Sequence, residues 1–166
     1  MSMQFQGMGL PLDQDGMSQA IERLRITMPE LWAVLTVETR GCGFLPDRRP
    51  LILFERHIFS RKTHGQFDDT HPDISQPAFG GYGAGGAAQY QRLEKAIALD
   101  RLAALQSASW GIGQVMGFNA EMAGYGGVEE LVDAMTVSEN HHLQALAGEI
   151  IHNRLDQALR NHDWAS

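Results

Sequence analysis

The sequence predicts an α+β domain, mostly helical, with one small β element. Three observations point there. Apolar residues recur at helical spacing along most of the chain, and a single short run, 50–55, alternates instead. The 166 residues are 43% hydrophobic and 20% charged, the composition of one ordinary globular domain large enough to bury a core. The 18 glycines cluster at 7–16, 41–43, 80–86 and 111–127, which places loops between the periodic segments.

Taken in order, residues 1–14 read as an irregular arm. A short helix starts near Asp15 and carries Ile21 and Leu24. The next start signal is sharper: Thr27-Met28-Pro29-Glu30 sets Thr three residues before Glu, a capping box, with proline near the first helical position. That helix runs through Leu31, Trp32, Val34, Leu35 and Glu38 and stops at Gly41. In the strand at 50–55, Leu51, Leu53 and Glu55 share one face and Ile52 and Phe54 the other. Residues 60–80, polar and holding Pro72 and Pro77, read as a long surface loop. One helix is expected over Ala87–Gln106, at most a short one within the Gly-broken 107–127, and another over Val128–Met135. A last long helix, capped by Ser138, carries Leu143, Leu146, Ile150, Leu155 and Leu159.

Several function classes are disfavoured at once. Thirteen basic against 20 acidic side chains leave a net charge of −7, which argues against nucleic acid or an anionic membrane as partner. No apolar run approaches the ~20 residues of a transmembrane helix. Met1–Gly16 lacks the basic and apolar regions of a signal peptide, so synthesis in the cytoplasm is expected. The single cysteine, Cys42, excludes an intramolecular disulfide framework. Of the seven histidines, His141 and His142 are adjacent and point ~100° apart on a helix, so they read as surface or cap residues; no metal site is expected. The glycine-rich 81–93 lacks the lysine of a phosphate loop.

Three places carry candidate chemistry. Glu38 is seven residues after Leu31, on the buried stripe of its helix and in its last turn. Desolvation and the negative helix end both raise a carboxyl pKa there, as a general acid requires. The alternative is a Glu paired with Arg40 or another arginine. Glu55 continues the Leu51/Leu53 face, and the two carboxylates could face one cleft, the minimal equipment of glycoside hydrolysis. The alternative for Glu55 is a buried salt bridge to Arg48, Arg49 or Arg56. In Ser107–Asn119, three glycines let the backbone pass close to a ligand, Trp110 offers a flat face to a sugar ring, and Gln114 and Asn119 offer amides; the alternative is a turn with Trp110 in the core.

VETRGCGFL (37–45), RPLILFERHIF (49–59), GYGAGGAAQYQRL (81–93) and SASWGIGQVMGFN (107–119) occur together and in order. In these motifs the chain resembles the N-acetylmuramidase domain of phage endolysins and bacterial lytic effectors, which is similar in fold to goose-type lysozymes and lytic transglycosylases. The resemblance covers about residues 27–164. It implies a single lysozyme-like muramidase domain over 1–166, needing no cofactor, that cleaves the β-1,4 bond between N-acetylmuramic acid and N-acetylglucosamine. Glycan strands of peptidoglycan are the implied partner, met at the cell wall after release or delivery. It implies Glu38 as the catalytic acid and Glu55 as a second active-site carboxylate. Glu38 closing a helix and Glu55 ending a strand some 17 positions later are expected to face each other across a groove at the ~6.5–9.5 Å that leaves room for a water. The resemblance carries Gln114 across as a substrate-binding residue, with Ser109 and Trp110 as groove neighbours; Asn119, Tyr82 and Tyr90 are expected to bind substrate as well. A transglycosylase forming anhydro products and a non-catalytic wall-binding module are the competing expectations. Members of the family continue past an Asp-Trp-Ala motif into an aromatic tail, whereas this chain ends at Ser166, so it is read as lacking that tail or as cut from a longer protein.

Overall fold

The computed structural model describes residues 5–38 and 41–163, with position 38 described in its backbone only. The expected class is observed: among the described residues, helices pack against one face of a small antiparallel sheet. α1 (Gln14–Leu24) is capped by Asp13, whose side chain accepts from Gly16 N–H. α2 (Met28–Glu38) begins as its capping box predicts. The Glu30 carboxylate accepts from Thr27 N–H at 2.5 Å and from the Thr27 hydroxyl at 3.0 Å, and the first of these bonds holds Glu30 below the usual carboxylate range.

β1 (Ile52–Phe54) pairs antiparallel with β2 (Ala108–Trp110), which pairs with β3 (Val115–Met116), in the order β1-β2-β3. The register sets Leu53 opposite Ser109 and Ser109 opposite Met116. Alternation therefore gives the sheet two unlike faces. Ile52, Phe54, Ala108, Trp110 and Val115 point into the core and are fully or almost fully buried. Leu53 and Met116 are half-buried on the opposite, open face.

The 60–80 segment is not all loop. α3 (Arg56–Lys62) follows β1 directly and buries Ile58 and Phe59. The helix expected over 87–106 is two: α4 (Ala87–Leu99) ends at Asp100, which is extended and caps α5 (Arg101–Gln106) by accepting from Ala103 N–H. After the hairpin come a 3₁₀ turn (Gly117–Asn119) and the short α6 (Ala120–Ala123). α7 (Val128–Val137) leads into α8 (Glu139–His152), capped by Ser138 as expected. The last expected helix breaks at Arg154, whose φ of 61° is left-handed, and α9 (Leu155–Arg160) begins there.

α8 runs through the centre, burying Leu143, Ala145, Leu146, Ala147 and Ile150, with α1, α2, α6, α7 and α9 around it. No described helix is long and apolar enough to cross a membrane.

Candidate active site

The open sheet face is where polar side chains gather. Glu55 follows β1 and is the N-cap residue of α3, yet its side chain caps nothing. Backbone bonds fix it instead: its N–H donates to Ser107 C=O at 2.9 Å, and its own C=O accepts from Ile58 and Phe59. The carboxylate is held without being spent on the helix. It keeps 14% of its side-chain surface exposed, and His57 Nδ1 stands 3.2 Å from Oε2. The contact is not aligned as a hydrogen bond, so both atoms remain enclosed and without a directed partner. Tyr82 faces the same carboxylate; desolvation first, and the Glu55 charge second, push its phenol above the usual range. The arginine bridge entertained for Glu55 does not form with Arg49, which pairs with Asp47 at 2.7 Å and lies 4.2 Å over the Tyr90 ring.

The hairpin of β2 and β3 presents Ser109, opposite Leu53 of β1, and Gln114, which reaches back to Leu51. Gln114 has a left-handed φ of 50°, closing the turn that starts at Gly111. Its amide is largely committed: Nε2 donates to Gly111 C=O at 2.8 Å and Leu51 C=O at 3.3 Å, and Oε1 accepts from the Ser109 hydroxyl at 2.9 Å. One Oε1 lone pair and the Ser109 oxygen are what this pair has left to offer a ligand.

Two expectations are corrected here. Trp110 is fully buried on the core face of β2, its indole N–H donating to Leu105 C=O at 3.2 Å. Tyr90 is 1% exposed, and its hydroxyl donates to Pro50 C=O at 2.7 Å. Neither ring can meet a sugar; both complete the core beneath the sheet, because strand register and helix face decided their direction. Asn119 is not gathered with Glu55 either, since its amide donates to Glu149 on α8 at 2.7 Å. Residues that sequence reasoning missed are His57 and Phe79, the latter 4.9 Å from the His57 ring and 5.9 Å, edge-on, from Tyr82. The signal for His57 was its place two residues after Glu55, at the strand-to-helix turn.

Position 38 ends α2 on the helix face of Leu31, Val34 and Leu35, all buried. The Glu38 side chain, its predicted pKa, its pairing with Arg40 and its separation from Glu55 lie outside the described residues. The turn around Gly43 is firmly held. Gly43 C=O accepts from Leu51 N–H at 2.7 Å, tying the turn to the β1 edge, and Gly43 N–H donates to Glu139 Oε1 at 2.6 Å. The other Glu139 oxygen accepts from Leu12 N–H, anchoring the N-terminal arm.

His142 completes this clamp, and it is neither a surface nor a cap residue. Its ring is fully buried, lying against Gly43 and Gly111 so closely that a Cβ at either would come within 2.4 Å and 2.7 Å of it. Nε2 meets Met135 C=O at 2.7 Å and Nδ1 meets Ile112 N–H at 3.1 Å. A carbonyl only accepts and an amide N–H only donates, so the imidazole is neutral with its proton on Nε2. Burial pushes its pKa down to about 4. One side chain thus fixes both the backbone at Gly43 and the turn that carries Gln114.

A separate apolar groove of about 680 Å³ opens between α2, α8 and α9, lined by Val34, Val37, Leu146, Ile150, Leu155 and Leu159. It also touches Asp163, the first residue of the Asp-Trp-Ala motif, whose other two residues lie outside the described ones.

Comparison with known proteins bears on the whole arrangement. A family model described as N-acetylmuramidase matches residues 27–166. The crystal structure of the Burkholderia AP3 phage endolysin superposes with a TM-score of 0.88 at 39% identity, covering 93% of this chain. The chain spans 61% of the length of that endolysin chain. No curated protein sequence matches.

Proposed function

Because this chain belongs to the N-acetylmuramidase family, we propose that it is a peptidoglycan hydrolase cutting the β-1,4 bond between N-acetylmuramic acid and N-acetylglucosamine. The observation that carries the reading is Glu55: a carboxylate at the end of β1, unused by its helix, two residues along the strand from Leu53, which pairs with Ser109. In this mechanism Glu38, at the end of α2, protonates the glycosidic oxygen as the bond breaks. Glu55 orients or activates the water that attacks the anomeric carbon. Ser109, Gln114 and Tyr82 border the bound strand. The protein reaches the cell wall after release or delivery from the cell that makes it.

Purified peptidoglycan digested with the protein tests this directly. Mass spectrometry of the products is expected to show muramic acid with a free reducing end. Anhydro-muramyl ends would move the assignment to a lytic transglycosylase, in which the sugar's own C6 hydroxyl replaces water. Walls bound but left intact would make it a binding module.

Glu55→Gln separates a catalytic from a structural role. The amide keeps the shape and removes the base. Turnover is expected to fall at least tenfold, approaching the ~10²–10⁴ typical of proton-transfer groups. Thermal stability should stay within a few degrees, since the carboxylate holds no helix cap and no aligned ion pair. Near-normal turnover with a collapsed melting temperature would assign Glu55 to the fold instead.

A further inference from the structure

Phe79 is 75% exposed, most of an aromatic ring left in water. It is nevertheless held in place. The segment around it is pinned through Arg92, which donates to Gly81 C=O, Tyr82 C=O and Asp73 C=O, and through Gln89, which donates to Tyr82 and Ala84 C=O. The ring rests on His57 and Tyr82, and both of those face Glu55. Beneath it, three consecutive residues carry enclosed polar atoms without an aligned hydrogen-bond partner: Glu55 Oε2, Arg56 Nε and His57 Nδ1. Two of these atoms, Glu55 Oε2 and His57 Nδ1, stand 3.2 Å apart as an ion pair without hydrogen-bond alignment; that pair and Arg56 Nε, enclosed with no aligned partner, are where a polar ligand or its waters would complete the hydrogen bonding. An exposed aromatic face over convergent polar groups is the pattern of a small-molecule subsite.

We propose that Phe79, backed by His57 and Tyr82, is a stacking platform for a pyranose ring of the glycan strand next to the bond held at Glu55. The apolar C–H face of an N-acetylhexosamine lies on the Phe79 ring, and its hydroxyl and amide groups turn toward the polar run. This rests on the muramidase reading and adds to it the residue that seats the strand next to Glu55.

The test is binding of a peptidoglycan tetrasaccharide, two N-acetylglucosamine–N-acetylmuramic acid units, by calorimetry in a Glu38→Gln background that stops turnover. Adding Phe79→Ala is expected to weaken binding about tenfold, and Phe79→Trp to hold it within about threefold. In the active enzyme, Phe79→Ala should raise KM by a similar factor with kcat changed little. Its melting temperature should stay within a few degrees, because the lost ring was exposed. Phe79→Ala that binds and cleaves within twofold of its parent overturns the platform and leaves the muramidase reading intact. A Glu38→Gln parent that binds no tetrasaccharide, together with a wild-type protein that releases no saccharide from walls, overturns both.

Discussion

Glu38→Gln is expected to abolish wall lysis while leaving the circular dichroism spectrum unchanged. The amide matches the carboxyl in size but has no proton to give the leaving oxygen. General acid catalysis contributes ~10²–10⁴-fold, and the proposed mechanism assigns the proton of the leaving oxygen to Glu38. The fold should tolerate the change, since α2 is nucleated at its other end by Thr27 and Glu30 and held by Leu31, Val34 and Leu35. Turbidity loss of purified walls, variant against wild type, measures it. Lysis within a few-fold of wild type would remove Glu38 from the chemistry, and the carboxylate at Glu55 would have to be re-read with it.

How legible each residue was depends on the kind of signal it gave. The capping box at Thr27–Glu30, the Ser138 cap and the helical stripes specified their helices because local hydrogen bonds and one apolar face decide them. The Glu55 face was legible from alternation alone. Its character was not: Leu51 and Leu53 look like core residues, yet the sheet packs its helices against Ile52 and Phe54, leaving the Leu53 face open. Trp110 and Tyr90 failed for the same reason, since an aromatic ring serves a core or a groove equally well until packing chooses. β2 and β3 were missed because three- and two-residue strands in a glycine-rich run carry no period. The breaks at Asp100 and Arg154 lie inside apolar patterns that continue across them, and neither position has a glycine or proline to announce the change. Phe79, in a polar loop between Pro77 and a glycine run, gave no periodic signal; only the packing of 79–82 onto His57 gives it a place.

His142→Ala is expected to cost about 3 kcal/mol of stability, and with it the geometry of the site. The substitution leaves a cavity where Gly43, Gly111 and Phe44 now meet the ring, and it orphans Ile112 N–H and Met135 C=O in the interior. An unsatisfied buried group alone costs ~1–3 kcal/mol, and the cavity adds to it. In a domain of this size that is a fall of roughly 6–12 °C in melting temperature. The same residue sets a pH dependence whose sign is fixed. In the folded chain its pKa is about 4: burial lowers it most, the Met135 bond and the Glu139 charge pull back only part of the way, and neighbouring His141 lowers it further. Unfolded, it titrates near 6.5. The unfolded state therefore takes up the proton first. Stability from this group is complete above pH ~6.5, declines as pH falls toward 4, and is lost no further below that, a total of roughly 3 kcal/mol. His142→Gln keeps a donor and an acceptor in the same place but does not titrate. Urea denaturation at pH 7.5, 5.5 and 4.5 should show wild type losing midpoint between the first and last, and His142→Gln losing less, from a lower start. Parallel losses in the two proteins would mean that other groups govern acid unfolding and that the buried imidazole is not the sensor.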